Sequence, residues 1–170
     1  DEHMIPELQI GDPFTGDNPP RALSDPVDFL APDTAVLVAR TTCQAKTAQA
    51  HSWFHVSRDR CHSWHGPYTF TGLDPALRLA SRTDVIPLSS ERALFLLTAH
   101  TSLGREGRTC CVETRDGGRT FAFKSWLGHK EPEGFEIMPS TVHFPDGRLL
   151  SAVRIQPPQA RARIGLYEST

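Results

Sequence analysis

An eight-residue pattern occurs twice in this chain and begins a third time at its last residues. The first copy is Ser57-Arg58-Asp59-Arg60-Cys61-His62-Ser63-Trp64 and the second is Thr114-Arg115-Asp116-Gly117-Gly118-Arg119-Thr120-Phe121. Both read hydroxyl, any, Asp, any, Gly (Cys in the first copy), any, hydroxyl, aromatic. The two starts lie 57 residues apart, and Ser169 follows the second start by 55. A repeat of this period constrains the fold strongly, because each unit is a supersecondary element that buries its apolar surface only against its neighbours.

The octet has the chemistry of a tight turn between two strands. Asp and Ser side chains accept hydrogen bonds from backbone N–H groups a few residues on and so fix a turn. Gly117-Gly118 supplies positive φ at no steric cost, and the closing aromatic can anchor the turn from beneath. An apolar, strand-like run precedes each copy: Trp53-Phe54-His55-Val56, Cys110-Cys111-Val112 and, before Ser169, Leu166-Tyr167. Cys61 stands where glycine is expected, which predicts a distorted turn in the first copy.

Two more strand candidates precede each octet. They are Val27–Leu30 and Ala35–Ala39 in the first unit, Asp84–Ile86 and Ala93–Leu97 in the second, and Thr141–Phe144 and Leu149–Val153 in the third. Pro145-Asp146-Gly147-Arg148 is a hairpin turn sequence between the last two. Tyr68–Phe70 and Phe121–Trp126 read as the fourth strands. Short runs of Val, Ile, Leu and Phe bounded by turn residues suit strands, and no stretch sustains a helical period. The expected fold is therefore all-β, with two complete four-stranded units and three strands of another, over about 25–72, 79–128 and 135–170. Residues 1–24, with Pro6, Pro13, Pro19 and Pro20, read as an extended lead-in.

On these residues the chain resembles the sialidases (neuraminidases), whose Asp-box, or BNR repeat, joins the third and fourth strands of a β-propeller blade. The resemblance extends to Arg82-Thr83-Asp84, Gly104-Arg105-Glu106-Gly107-Arg108, Met138-Pro139-Ser140-Thr141-Val142 and Pro145-Asp146-Gly147-Arg148-Leu149, in this order. Those segments look like a bacterial exo-sialidase-like family and span about residues 25–170. The resemblance implies a six-bladed propeller of which about two and three-quarter blades, the N-terminal half, are present. It also implies a hydrolase that takes a terminal sialic acid or related acidic sugar from a glycan, with no cofactor or metal. A secreted or periplasmic location is compatible with the family; no signal peptide precedes the first strand.

Composition narrows the function classes. A net charge of −2 leaves no basic footprint for nucleic acid, and no apolar run reaches membrane-span length. The cysteines are Cys43, Cys61, Cys110 and Cys111. None forms a zinc-spaced pair, and adjacent Cys110 and Cys111 point to opposite faces of a strand. A Cys43–Cys61 disulfide stays open, as does the plainer reading of two free thiols.

The family binds a sugar carboxylate through arginines, whose planar guanidinium matches a carboxylate two-pronged. One of these opens an Arg-Ile-Pro motif before an inner strand. Arg82, opening Arg82-Thr83-Asp84-Val85-Ile86-Pro87, holds the matching kind of position and is a ligand-binding candidate; a structural Arg82–Asp84 pair is the alternative. Asp28 and Asp84 occupy equivalent inner-strand positions and are candidate general acids if burial raises their pKa; otherwise they tie down strand-end amides. Arg105, Glu106 and Arg108 would rim the site or form a solvated loop. Glu136 precedes the inner strand of the third unit and is a channel candidate.

Two departures weigh against activity. The sialidase acid/base Asp belongs to a loop of the first blade, and the corresponding segment, Thr41 to Ser52, has no carboxylate. The family's nucleophile is a Tyr assisted by a Glu from later blades, unlike the paired carboxylates of most glycosidases, and Tyr68 and Tyr167 lie in strands that do not match it. The expectation is an incomplete propeller, inactive alone, completed by the missing half or by a second copy. The alternative is a non-catalytic module that binds glycans or scaffolds a partner.

Overall fold

The computed structural model describes residues 18–40, 52–80, 84–100, 106–129, 132 and 134–169. Among these described residues ten strands form three antiparallel sheets. The first sheet holds β1 (Ala35–Arg40), β2 (Ser52–Ser57) and β3 (His65–Thr69). The second holds β4 (Val85–Pro87), β5 (Ala93–His100), β6 (Glu106–Thr114) and β7 (Ala122–Leu127), and the third β8 (Phe135–His143), β9 (Leu149–Gln156) and β10 (Arg163–Ser169). The protein is all-β: among the described residues there is no α-helix, and a single 3-10 turn spans Pro75–Leu77.

Both octets are turns, joining β2 to β3 and β6 to β7. Asp116 Oδ1 accepts the Thr120 N–H at 2.9 Å, Oδ2 accepts the Thr120 hydroxyl at 2.6 Å, and Thr114 Oγ1 accepts the Gly118 N–H at 2.8 Å. In the first copy Asp59 receives the Ser63 N–H and hydroxyl at 2.9 and 2.6 Å, and Ser57 Oγ receives the Cys61 N–H at 2.9 Å. The turn expected to be distorted is thus the same turn. Arg60 (φ 60) and Cys61 (φ 66) adopt the left-handed backbone that Gly117 (φ 70) and Gly118 (φ 86) adopt in the second copy. Each non-glycine residue costs about 1–2 kcal/mol there. The side-chain hydrogen bonds over-determine the conformation and offset that cost.

One strand expectation fails. Val27–Leu30 is not a strand, so among the described residues the first sheet has three strands and not four. Val27 and Phe29 are buried in a loop instead, while Leu30 is exposed: the Val27 N–H donates to Gly117 O at 2.8 Å and the Phe29 N–H to Ser90 O at 2.8 Å. Alternation of apolar residues reports burial, and here an irregular segment whose amides find partners outside a ladder provides it. Leu23, within the lead-in, is also buried, and Arg21 bridges Tyr68 in parallel.

The second sheet is covered on both faces, which explains why β5 reads as a continuous apolar run. Phe95, Leu97, Ala99, Cys110 and Val112 face the first sheet, in one core with Val38, Phe54, Val56, Phe70 and Phe121. Leu94, Leu96 and Cys111 form a second core with Ile86, against Leu127 and Leu149. Cys110 and Cys111 therefore lie on opposite faces, as strand geometry requires. Cys61 is a free, exposed thiol, and Cys43 lies outside the described residues.

His55 on β2 is buried, and its Nδ1 has no hydrogen-bond partner among the described residues. Burial pushes its pKa below the ordinary 6.5, so the unfolded chain takes up a proton more readily than the fold. The sign follows from linkage: stability is full above about pH 6.5 and falls as pH drops below it, until the folded protein protonates too. Urea midpoints measured from pH 8 to 5 (a window of about 1.5 units either side of a free imidazole) are expected to fall in wild type. The fall is expected to be shallower in His55→Gln.

Candidate functional site

Antiparallel order gives each sheet two ends. The octets lie at one end of the first and second sheets, and the turn 144–148 lies at the corresponding end of the third. At the other end the chain passes from β7 to β8 and from β9 to β10. There, Glu136, near the start of β8, is 3% exposed and meets His129, seven residues before it, and Tyr167, on another strand. Glu136 Oε1 lies 2.7 Å from His129 Nδ1, and Oε2 accepts the His129 N–H at 3.1 Å. Tyr167, from β10, stands beside the same carboxylate. Burial, and after it the negative charge of Glu136, raises the Tyr167 pKa, so the phenol stays protonated.

Local structure dictates this convergence. Gly128 follows β7 with φ +73, turning the chain so that the His129 amide and ring both reach Glu136. A Cβ on Gly128 would run into Glu136 Oε2 and lie 2.8 Å from the Tyr167 hydroxyl. Thr109 Oγ1 donates to the Glu136 carbonyl at 2.9 Å and fixes the start of β8 against β6. Beyond it Met138 takes φ 58 at a bulge between Ile137 and Ser140. A bulge with a left-handed non-glycine residue is backbone strain of the kind that concentrates at functional sites.

Glu136 and His129 line a cavity of about 350 Å³ together with Phe135, Gln156, Arg163 and Ile155. The lining combines one carboxylate, one imidazole, one guanidinium, one amide and an aromatic face, which suits a small polar ligand. A second cavity of about 390 Å³ lies between the second and third sheets, lined by Leu94, Leu96, Cys111, Trp126 and Tyr167 among others. Its thiol is no nucleophile: burial pushes the Cys111 pKa up to about 11.

The other sequence candidates lie elsewhere. Arg82 and Arg105 fall outside the described residues. Asp28 is exposed and caps a turn, accepting the Leu30 N–H at 2.9 Å; with no strand at 27–30, it holds no inner-strand position. Asp84 stands next to β4, and its carboxylate accepts the Thr141 N–H of β8. Burial raises its pKa, against the lowering effect of that hydrogen bond. Its geometry is that of a carboxylate tying one sheet to the next. Arg108 does not rim a loop: it is buried within β6 and stacks on Trp126, 3.4 Å from the ring centroid. It shares the Cys110 face, whereas its neighbour Thr109 meets Glu136, so strand alternation separates Arg108 from Glu136.

Of the sequence candidates among the described residues, Glu136 alone is placed in this cluster. His129 was missed, and Tyr167 is set aside on sequence because its strand does not match the position of the family's nucleophile. The signal available for His129 was a histidine immediately after a glycine in the connection leading to Glu136. No family model matches this chain, and no curated protein matches it.

Proposed function

We propose that this chain carries part of a sialidase-like glycoside hydrolase of the β-propeller type, exo-acting on a terminal sialic acid or related acidic sugar. The observation that carries the reading is the pair of octet turns. They have matching hydrogen bonds and occupy the same connection of successive sheets, as Asp-boxes do in propeller blades. A propeller binds its ligand at the mouth of its channel. In this reading the cavity beside Glu136, at the end away from the octets, belongs to that mouth, with Arg163 as the group that meets an acid function.

The strand registers support a further sheet of the same kind. Ile86 pairs with Leu94, and Leu96 with Cys111, in the second sheet; Val142 pairs with Leu150, and Ala152 with Leu166, in the third. The first set is buried against the third sheet. The equivalent set leaves Val142 56% and Leu166 67% exposed, where a next blade, from the same protein or from a second copy, would pack.

The test is turnover of a fluorogenic sialoside, with binding to a glycan array read in parallel. Release of the fluorophore supports the hydrolase. Binding without turnover selects the non-catalytic glycan-binding module, which the carboxylate-free segment Thr41–Ser52 favours. Neither binding nor turnover sinks both glycan readings.

A further inference from the structure

The contact between His129 and Glu136 has the form of a carboxylate–imidazole dyad. The carboxylate is buried, with one oxygen on the ring nitrogen Nδ1 at 2.7 Å and the other on the backbone N–H of the same residue at 3.1 Å. Two hydrogen bonds to one residue fix both where the imidazole sits and which way it is turned. A carboxylate accepts and does not donate, so the Nδ1 proton lies between ring and carboxylate. The neutral ring then carries its lone pair on Nε2. The His129 side chain is 71% exposed and lines the 350 Å³ cavity, so Nε2 is open to whatever occupies that cavity. Tyr167 stands beside Glu136, and its phenol stays protonated. Arg163 is the charged group that shares the cavity with the dyad.

We propose that His129 is the proton-transferring residue of this cavity and that Glu136 is its positioning residue. In the forward step the Nε2 lone pair takes a proton from a water or from a ligand hydroxyl. The oxygen keeps the electron pair of the broken O–H bond, and the imidazolium that results is stabilised by Glu136 at Nδ1. The same ring returns that proton to a leaving oxygen. The dyad is independent of which sugar, if any, the protein cleaves, so the proposal stands or fails separately from the glycosidase reading.

The test has two readouts, neither of which needs turnover. The first is the tautomer of His129 in the full chain labelled with 15N-histidine, at about pH 8, where a free imidazole is neutral. The expected spectrum shows Nδ1 protonated and Nε2 bare; a ring protonated at Nε2 overturns the proposal. The second is reactivity toward diethyl pyrocarbonate, followed by peptide mass. The Nε2 lone pair attacks a carbonyl carbon, the C–O bond of the anhydride breaks, ethyl carbonate leaves, and the Nδ1 proton passes by way of Glu136 to water. His129 is expected to react several-fold faster than His62 and His143, which are exposed and serve as references within the same sample. Glu136→Gln is expected to bring it to their rate. Equal rates for His129, His62 and His143 in the wild-type chain overturn the assignment, whether or not the Glu136 variant folds.

Discussion

Phe95→Ala is expected to destabilise the protein by about 3–5 kcal/mol, the range for removing a fully buried phenylalanine. Phe95 is 0% exposed, and its ring meets four others: Phe121 at 5.2 Å, Phe70 at 5.9 Å, Phe29 at 6.1 Å and Phe54 at 6.4 Å between centroids. Phe29 comes from the loop before β1, Phe54 from β2, Phe70 from just after β3 and Phe121 from the second octet. The space left by Phe95 has rigid aromatic walls on several elements, which collapse onto it poorly, and edge-to-face contacts are lost as well. Total stabilities of domains are commonly about 5–15 kcal/mol, so the variant loses a large fraction of its stability. Urea unfolding is the measurement: the midpoint should drop sharply with the slope unchanged. Leu166→Ala, at a side chain 67% exposed, should shift it little. A loss below about 1 kcal/mol for Phe95→Ala would mean that this aromatic core does not join the first two sheets.

What could be read from the sequence was what depends on near neighbours. The octet turns close hydrogen bonds between residues two and four apart, so their pattern is local and survives even the replacement of glycine by Cys61. The strands were legible for the same reason: β5 and β9 are runs of apolar residues whose period is set by the pleat. Val27–Leu30 misled because Val27 and Phe29 are buried without being in a strand; their amides bond Gly117 and Ser90, which no local signal announces. The site was legible in one residue. Glu136 stood out as a carboxylate ahead of an inner strand, but its partners arrive from the β7–β8 connection and from β10, across register relations that only the assembled sheets define. Arg108 was misplaced although the information was at hand. The alternation that separates Cys110 from Cys111 also puts Arg108 and Thr109 on opposite faces, and only the Thr109 face meets Glu136.

Gly128→Ala is expected to cost about 2–5 kcal/mol and to break the His129–Glu136 pair. Two effects add. An L-residue at φ +73 costs about 1–2 kcal/mol, and forcing a methyl group into occupied space costs about 1–3 kcal/mol. The occupied space is the carboxylate of Glu136 and the hydroxyl of Tyr167, neither of which is the free end of a flexible surface chain. Gly147→Ala separates the two effects. Gly147 has φ +90 with nothing within 4 Å of a Cβ, so that variant bears the backbone cost alone. The excess of the first loss over the second, read from urea midpoints, measures how tightly the carboxylate is held. Because Gly128 sets the path of the chain into His129, the Ala variant should also lose the Nδ1-protonated tautomer and the fast acylation of His129, while the Gly147 variant keeps both. Equal losses in the two variants, with the tautomer retained, would show that Glu136 gives way freely and that the dyad is not built into the turn after β7.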